Sequence, residues 1–327
     1  MTRLTRIIAA LVGLVALAIV AVVAMNWAPD RPPGELAARW AEPPSEFLEL
    51  AGLRVHLRDE GRRDDPRPVV LLHGTSASLH TWDGWVAVLA PERRVVRVDL
   101  PGFGLTGPAA DGDYRIERYV EFVTALLDAL GIERCVLAGN SFGGWVAWET
   151  ALAVPDRVAA LILVDSAGYP LESQSVPIGF RIARIPLLNR LMQVTLPRGL
   201  IESSLRNTYG DPSRVTPELV DRYYELTLRE GNRAALANRF AAGRHSGHTA
   251  RLADLQVPTL ILWGGRDRLI PPAYGEQFRS DIAGSRLVVF PALGHVPHEE
   301  DAAATVAAAR TFLDEIASNV TLATSPE

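Results

Sequence analysis

A serine between two glycines is the first residue pattern in the chain that can do chemistry. Ser141 lies in the run CVLAGNSFGGWVAW, where Gly139, Ser141 and Gly143 form a G-x-S-x-G pattern between a strand-like stretch and a helix-like stretch. On so tight a turn the serine hydroxyl projects above the sheet, and small neighbours are needed because strand and helix approach closely. The helix N-terminus and the amide of Phe142 favour negative charge beside that hydroxyl. The pattern predicts that Ser141 is a nucleophile, against the alternative of a serine that only caps the helix.

A nucleophilic serine needs a base to take its proton, and the base needs an acid to orient it. The expected chain order is serine, acid, histidine. Asp267 follows the strand-like run LILWGG, and His295 follows the run RLVVF. Parallel strands would bring both side chains to the same sheet edge as Ser141. Two alternatives stay open, namely Asp165, which directly follows the run LILV, for the acid and His298 for the base.

The elements that must position these residues alternate between strands and helices. The run FLELAGLRVHLRDEG alternates apolar and polar residues as a hairpin does, and later apolar runs are typical of parallel strands buried on both faces. Helical spacing predicts four helices between those runs, at residues 116–130, 141–154, 272–282 and 299–316. The alternation predicts an α/β fold with a mostly parallel, doubly wound sheet.

One interval breaks the alternation. From about residue 169 to 255 there are only helix-like segments, such as TPELVDRYYELTL, where Thr216 can cap and Pro217 can occupy the first turn. Because it separates two strand-like runs, this interval is expected to form a helical cap over the C-terminal edge of the sheet.

The motifs together resemble those of the α/β-hydrolase superfamily, in its cap-bearing serine esterase, C–C hydrolase and haloperoxidase-like branch. The resemblance spans residues 47–316 and rests on LLHGTSAS, DLPGFGLTG, GNSFGG, GRDRLIP and LGHVPHEE, in the family's order. It implies Ser141 as nucleophile, His295 as general base and Asp267 as the orienting acid. It also implies that the backbone amides of Thr75 and Phe142 form the oxyanion hole.

The resemblance implies a serine hydrolase that cleaves a carboxylic ester or a related acyl substrate through an acyl-enzyme. Hydrolysis of a carbon–carbon bond in a vinylogous diketone and perhydrolysis share the same triad and stay open. The C–C hydrolases need cap arginines to hold a second carboxylate, and the sequence does not give the direction of the cap's Arg181, Arg184, Arg190 and Arg198. A non-catalytic binding module is a remote alternative.

A dinucleotide-binding oxidoreductase is a second remote alternative, because residues 102–107 read GFGLTG and match G-x-G-x-x-G. A pyrophosphate loop, however, leads directly into a helix, with an acidic residue about 20 positions later at a strand end. Here a loop follows Gly107, and Asp128 falls within a predicted helix. The stretch is therefore expected to be a turn beside the active site, and no cofactor is expected.

Composition excludes several other classes of function. All 33 basic residues are arginine, so there is no lysine for a Schiff base or a Walker A loop, and the net charge of −5 gives no nucleic-acid footprint. The one cysteine, Cys135, is expected to be an inert core thiol. His73 is expected to be structural, and His245 and His248 are expected to be cap residues rather than metal ligands, because no carboxylate or third ligand is evident beside them.

The N-terminal residues predict a membrane anchor. Residues 7–25 are an uncharged apolar run, about 28 Å long as a helix and close to the ~30 Å core of a bilayer. Arg3 and Arg6 precede the run, and Trp27 follows it at headgroup level. Residues 1–27 are expected to stay as an anchor that leaves the catalytic part on the periplasmic or extracytoplasmic side; the alternative is secretion after signal cleavage.

The rest of the chain divides into a spacer and one domain. Residues 28–45 are proline-rich and are expected to be a stiff, extended linker. Residues 46–327 are expected to form the hydrolase domain with its cap. The expected partners are the membrane and a small hydrophobic acyl substrate.

Overall fold

The protein is described here by a computed structural model covering residues 2–243, 245 and 247–324. The described residues form one eight-stranded sheet in the order β1-β2-β4-β3-β5-β6-β7-β8, with strands β1 (Ser45–Leu50), β2 (Leu53–Gly61), β3 (Val69–Leu72), β4 (Arg94–Val98), β5 (Cys135–Asn140), β6 (Val158–Val164), β7 (Thr259–Gly264) and β8 (Arg286–Phe290). The first two strands form an antiparallel hairpin, β2 pairs antiparallel with β4, and the remaining pairs are parallel. The predicted fold class is confirmed.

Helices cover both faces of the sheet and one of its edges. They are α1 (Arg3–Met25), α2 (Pro33–Trp40), α3 (Asp83–Leu89), α4 (Ile116–Ala129), α5 (Phe142–Ala153), α6 (Ile178–Ala183), α7 (Pro186–Met192), α8 (Arg198–Thr208), α9 (Pro217–Thr227), α10 (Asn232–Ala241), α11 (Ala273–Asp281), α12 (Pro297–Glu300) and α13 (Ala302–Thr324). Side chains from α4, α5 and α11 fill the core on one face, and side chains from α3 and α13 fill the core on the other. Both faces of the central strands are therefore buried, which explains their continuous apolar runs.

The last predicted helix differs from the structure. The sequence pattern predicts one helix at residues 299–316, whereas α12 ends at Glu300 and α13 starts at Ala302. The break lies at Asp301, whose φ of −142° is not helical. Its Oδ1 accepts a hydrogen bond from the Ala304 amide at 3.0 Å, so Asp301 starts the second helix as a cap.

The interval between β6 and β7 contains α6 to α10, which we call the cap (residues 178–241). Thr216 Oγ1 accepts a hydrogen bond from the Leu219 amide at 3.2 Å, and Pro217 is the first residue of α9, both as the sequence predicts. Cap residues and sheet-edge residues line one shared cavity. The cap therefore covers the edge where the predicted site residues lie.

The expected extended spacer is wrong for much of residues 28–45. Pro33 starts α2, as a proline can because its missing N–H is not needed in the first helical turn. Leu36 is fully buried against Leu105 and Leu226. Because one apolar face of α2 packs against the cap, this segment is part of the folded domain and is not an extended spacer.

Residues 26–31, which we call the strap, join α1 to the cap by backbone hydrogen bonds. The Ala28 amide donates to Val194 O at 2.9 Å, and the Leu196 amide donates to Asn26 O at 3.1 Å. Helix α1 is long and apolar enough to cross a membrane, and its apolar segment is not buried against the described rest of the molecule. The end of α1 is therefore fixed directly to the cap.

Candidate active site

Ser141 lies at the sharp turn between β5 and α5 with a backbone φ of +53° and ψ of −113°. This region is unfavourable for a residue with a side chain, so the turn must be held by its surroundings. A Cβ added to Gly139 would overlap the Gly143 carbonyl, and a Cβ added to Gly143 would overlap the Leu72 carbonyl. Both flanking glycines are thus required by close packing, as the sequence pattern predicts.

His295 and Asp267 form a short, buried hydrogen bond behind Ser141. Nδ1 of His295 lies 2.6 Å from Oδ2 of Asp267, and both residues are at most 5% exposed. The other oxygen of Asp267 accepts the amides of Leu269 and Ile270 at 2.8 and 3.0 Å. The carboxylate is therefore fixed in place, and it fixes the orientation of the imidazole ring. Ser141 and His295 line the same cavity.

Asp165, the alternative acid, lies beside Asp267 but differs from it in its hydrogen bonds and has a raised pKa. Its carboxyl group is fully buried and accepts one hydrogen bond, from the Gly264 amide at 2.9 Å. Burial, and then the negative charge of Asp267, raise the pKa of Asp165 well above its usual value. This shift favours the neutral form of the Asp165 carboxyl group. Asp267 is the carboxyl group that bonds to His295.

Two backbone amides beside Ser141 can stabilise negative charge. Thr75 and Phe142 both line the cavity with Ser141. A Cβ added to Gly74 would lie 3.3 Å from Cβ of Ser141, so the loop that carries Thr75 passes close to the nucleophile position. Within the described part of the chain, neither the Thr75 amide nor the Phe142 amide donates to a protein acceptor. Both N–H groups are available to a ligand.

The loop that carries His295 is held by residues that the sequence analysis missed. Glu300 accepts the Gly294 amide at 2.8 Å and, from the cap side, the amides of Gly210 and Asp211 at 2.9 and 2.7 Å. The His295 amide itself donates to Thr208 O at 2.7 Å. The contacts with the cap join segments about 90 residues apart, so no sequence motif signals them.

Asn140 ties the same loop to the strand that carries the serine. Its side-chain amide donates to Val164 O at 3.1 Å and to His295 O at 3.0 Å. The residue directly before the nucleophile therefore fixes the backbone of the base. This contact, like those of Glu300, could not be predicted from spacing.

A cavity of about 180 Å³ lies between Ser141 and the cap. Its walls are mostly apolar and come from several cap helices; they include Phe180, Met192, Leu196, Leu200, Leu205, Leu236 and Phe240. Three arginines also line it. Arg184 was named in the sequence analysis, whereas Arg233 and Arg239 were not. The space next to the serine thus suits a largely apolar group.

A family model described as alpha/beta hydrolase fold matches residues 67–302, well over half of the chain. The chain belongs to this family. It is 30% identical over 276 residues to 2-hydroxymuconate semialdehyde hydrolase of Pseudomonas sp. (strain CF600), which covers 81% of this chain and 92% of that protein.

Two solved structures are similar over most of their length. A membrane phospholipase A, described as a bacterial virulence factor, matches with a TM-score of 0.74 and 25% identity and covers 95% of this chain and 99% of its own. A variant of the meta-cleavage product hydrolase from Pseudomonas fluorescens IP01 matches with a TM-score of 0.72 and 25% identity, covering 83% and 97%. The phospholipase match therefore extends over more of this chain.

Two other histidines of this α/β hydrolase, His73 and His298, have structural surroundings. His73 is fully buried, with Nδ1 2.7 Å from Gly74 O and Nε2 accepting the Leu100 amide at 3.0 Å. His298 stacks on Trp82 with ring centroids 4.1 Å apart, and burial lowers its pKa to about 3. A ring with so low a pKa accepts a proton poorly, and its packing makes it part of the core, so His298 is a poor base for Ser141.

His248 and Cys135 also have structural surroundings. Nδ1 of His248 lies 3.1 Å from a carboxylate oxygen of the buried Glu149, so a carboxylate that the sequence did not reveal lies beside this histidine. Among the described residues, no group of three possible ligands includes His245 or His248. Burial raises the pKa of the Cys135 thiol to about 12, which keeps it protonated.

Asp165, Asp267 and His295 have donor atoms within 4.8 Å of one another, the spacing of a possible metal site. Nδ1 of His295 is already bonded to Asp267, however, and the raised pKa of Asp165 disfavours the charged carboxylate that would bind a metal ion. A hydrogen-bonded acid–base group explains the cluster without a metal ion.

Residues 102–107 fold around a carboxylate rather than around an open cradle. Asp99 accepts the amides of Leu79 and Leu105 at 2.7 and 2.8 Å, and a Cβ on Gly104 would overlap its carboxyl group. Helix α4 starts only at Ile116. The glycines of this stretch therefore serve a turn at the rim of the site, and the turn has no helix N-terminus for a pyrophosphate.

Proposed function

We propose that the protein is a membrane-anchored serine hydrolase that cleaves carboxylic esters with an apolar acyl chain through an acyl-enzyme. The observation that carries the proposal is the cavity that begins at Ser141 and is walled mainly by apolar cap residues. An ester whose acyl chain lies among those side chains would place its carbonyl carbon at the serine hydroxyl.

In the first half of the reaction, Ser141 Oγ attacks the ester carbonyl carbon and its proton passes to Nε2 of His295. Asp267, bonded to Nδ1, selects the tautomer with a free Nε2 and stabilises the imidazolium that forms. The carbonyl oxygen becomes an oxyanion bonded to the amides of Thr75 and Phe142. His295 then returns the proton to the leaving alcohol, and the acyl-enzyme remains.

In the second half, a water molecule gives a proton to His295 and attacks the acyl carbon. The oxyanion forms again at the same two amides, and the Ser141 ester bond breaks as Oγ takes the proton back. The products are a carboxylic acid and the free enzyme. Each amide of such a pair contributes about 10²–10³ to the rate in other hydrolases.

The strap supports a substrate that comes from a lipid phase. It fixes the end of α1 to Val194 of the cap, and the cap also carries a set of exposed apolar residues, namely Ile178, Ile185, Leu188 and Leu191. If α1 spans a bilayer, the cap is held at its surface. The membrane phospholipase A is also the relative whose match extends to 95% of this chain. Amphiphilic acyl esters are therefore the substrate class we favour.

Carbon–carbon bond hydrolysis is the second candidate function. The name of the 30%-identical relative, a 2-hydroxymuconate semialdehyde hydrolase, favours it. A buried arginine on the cavity wall, Arg239, also favours it, because the substrates of such enzymes carry a carboxylate. The acid–base group would serve either reaction.

A substrate panel with the detergent-solubilised full chain separates these functions. The panel consists of p-nitrophenyl acetate, butyrate and octanoate, a lysophosphatidylcholine, and 2-hydroxymuconate semialdehyde, with Ser141→Ala as the matched control. We expect kcat/KM to rise from acetate to octanoate and fatty acid to be released from the lipid. Turnover of the semialdehyde far above that of every ester would replace the ester proposal with the second candidate. Failure to cleave any ester would also reject the ester proposal.

A further inference from the structure

Arg239 of α10 is a buried cation on the wall of the cavity. It is 5% exposed and lies over the rings of Phe142 and Trp145, with its guanidinium carbon 4.3 and 5.0 Å from their centroids. Nη1 donates to Gly243 O at 2.8 Å, whereas Nε is buried and has no hydrogen-bond partner in the described residues. The guanidinium group thus keeps donor capacity that the described residues do not use.

Arg239 differs from the other buried arginines in having no carboxylate partner. Among the described residues, four arginines are less than 9% exposed, and the other three pair with acids: Arg94 with Asp59, Arg97 with Glu60, and Arg233 with Asp30. Arg239 forms no ion pair with any described residue. Burial of an unpaired cation is costly, and burial indeed lowers the pKa of Arg239. Stacking on two rings offsets part of that cost but supplies no counter-ion, and none is found in the described part of the chain.

We propose that Arg239 binds an anionic group of the substrate, a carboxylate or a phosphate, next to the acyl carbon. Phe142 carries the ring under the guanidinium and also the amide that faces the developing oxyanion. Because the ring and the amide belong to one residue, an anion at Arg239 would lie close to the reacting carbonyl. A guanidinium donates paired hydrogen bonds to either kind of anion. The proposal rests on the proposed acyl hydrolysis and adds an acidic group to its substrate.

Two matched pairs of esters test this site and distinguish its sources of anion. The phosphate pair is 1-butyrylglycerol 3-phosphate and 1-butyrylglycerol; the carboxylate pair is monomethyl and dimethyl glutarate. The readout is the ratio of kcat/KM for the anionic ester to kcat/KM for its neutral partner, which cancels general damage to the enzyme. Variants are Arg239→Gln, Arg239→Lys and, as the control, Arg206→Gln, an exposed cap arginine paired with Glu202.

We expect Arg239→Gln to lower the ratio by about 10- to 100-fold in at least one pair, as removal of a charged hydrogen-bond donor does. Arg239→Lys keeps the charge and should lose less, and Arg206→Gln should keep the wild-type ratio. The pair that responds identifies the anion. Equal losses on both members of each pair would assign Arg239 a purely structural role and overturn the proposal, as would an unchanged ratio.

A binding measurement separates this proposal from the proposed function. Calorimetry on Ser141→Ala with monomethyl glutarate and with 1-butyrylglycerol 3-phosphate needs no turnover. Weaker binding after Arg239→Gln is added would support the anion site even if the wild-type protein hydrolysed no ester. Equal affinity in the single and double variants, or no binding in either, would overturn it.

Discussion

Two carboxyl groups lie side by side in the site, and their surroundings give them different roles. Asp267 accepts hydrogen bonds from two backbone amides and is bonded to the His295 ring, so three contacts fix its position. Asp165 accepts only the Gly264 amide and is fully buried beside that charge. A second negative charge beside Asp267 is unfavourable in this buried position, which is why the pKa of Asp165 is raised.

Substitution of each acid in turn tests this division of roles. Asp267→Asn should lower kcat/KM on p-nitrophenyl butyrate by about 10³–10⁴-fold, because an amide favours the wrong imidazole tautomer. Asp165→Asn should cause a much smaller loss, since an amide resembles the neutral acid. Larger damage from Asp165→Asn than from Asp267→Asn would assign the orienting role to Asp165.

The raised pKa of Asp165 also predicts a pH dependence of stability. Its pKa is raised in the folded state, so between its unfolded value near 3.8 and its folded value the unfolded chain loses this proton and the folded chain keeps it. The wild-type protein therefore loses free energy of unfolding as pH rises through that window, by up to about 1.4 kcal/mol per pH unit from this group.

Asp165→Asn removes that term. As pH rises above about 4, the free energy of unfolding of the variant should increase relative to that of the wild type, measured by urea denaturation at several pH values. Parallel curves for the two proteins would mean that Asp165 is ionised in the folded state.

At the residue level, sequence order and residue type predict which groups the fold brings together. Asp267 and His295 each follow a strand-like run, so their meeting could be expected from parallel topology. The protonation state of Asp165 could not be predicted, since it depends on full burial and on the distance to Asp267. The unpaired charge of Arg239 is equally a property of packing.

At the level of elements, the cap and the His295 loop are joined through Glu300. Its carboxylate accepts the amide before His295 and two amides of the segment that follows α8. A shift of that segment would therefore move the base. Charged hydrogen bonds of this kind are stronger than neutral ones.

Glu300→Gln should loosen this connection, because the amide NH₂ faces backbone donors instead of accepting from them. We expect the free energy of unfolding to fall by about 1–3 kcal/mol. We also expect kcat to fall more than KM changes, since the base is displaced while the cavity walls remain. Glu202→Gln, on the exposed face of α8, is the matched control and should change neither. A KM effect alone would show that Glu300 shapes the cavity and does not position His295.

Elements with strong periodicity could be predicted, and those stabilised by tertiary contacts could not. The strands and α4, α5 and α11 agree with the predicted runs to within a residue or two at each end. The segment that forms α2 was expected to be extended because it is rich in proline. Its helical form is stabilised by an apolar face that packs against the cap, and the sequence does not reveal that contact. The single helix expected at 299–316 breaks because Glu300 and Asp301 bond to the backbone around them.

At the scale of the whole molecule, helix α1, the strap and the cap form one continuous structure. The strap adds an ion pair to its backbone contacts, between Asp30 and Arg233, and Arg233 lines the cavity. The strap at the end of α1 therefore contacts Arg233, a residue of the cavity wall. The sequence predicted the helix from length and hydropathy, whereas its attachment to the cap had no sequence signal.

Charges placed within α1 should release the protein from membranes. Leu14→Arg combined with Leu17→Arg costs about 2.5–3.5 kcal/mol per arginine at the centre of a spanning helix. Both side chains are exposed in the structure, so the fold should persist. We expect the variant in the soluble fraction with its activity on p-nitrophenyl butyrate retained, and the double alanine control in the membrane pellet after carbonate extraction. Wild-type protein found in the soluble fraction would contradict the anchor.

The most direct test of the account is the activity of Ser141→Ala. Every step proposed here passes through the Ser141 oxygen, and loss of a serine nucleophile elsewhere costs on the order of 10⁶ in kcat. We predict that the folded variant, with an unchanged circular dichroism spectrum and melting temperature, loses its activity on p-nitrophenyl butyrate by at least about 10³-fold. Turnover at the wild-type rate by that folded variant would contradict the acyl-enzyme mechanism.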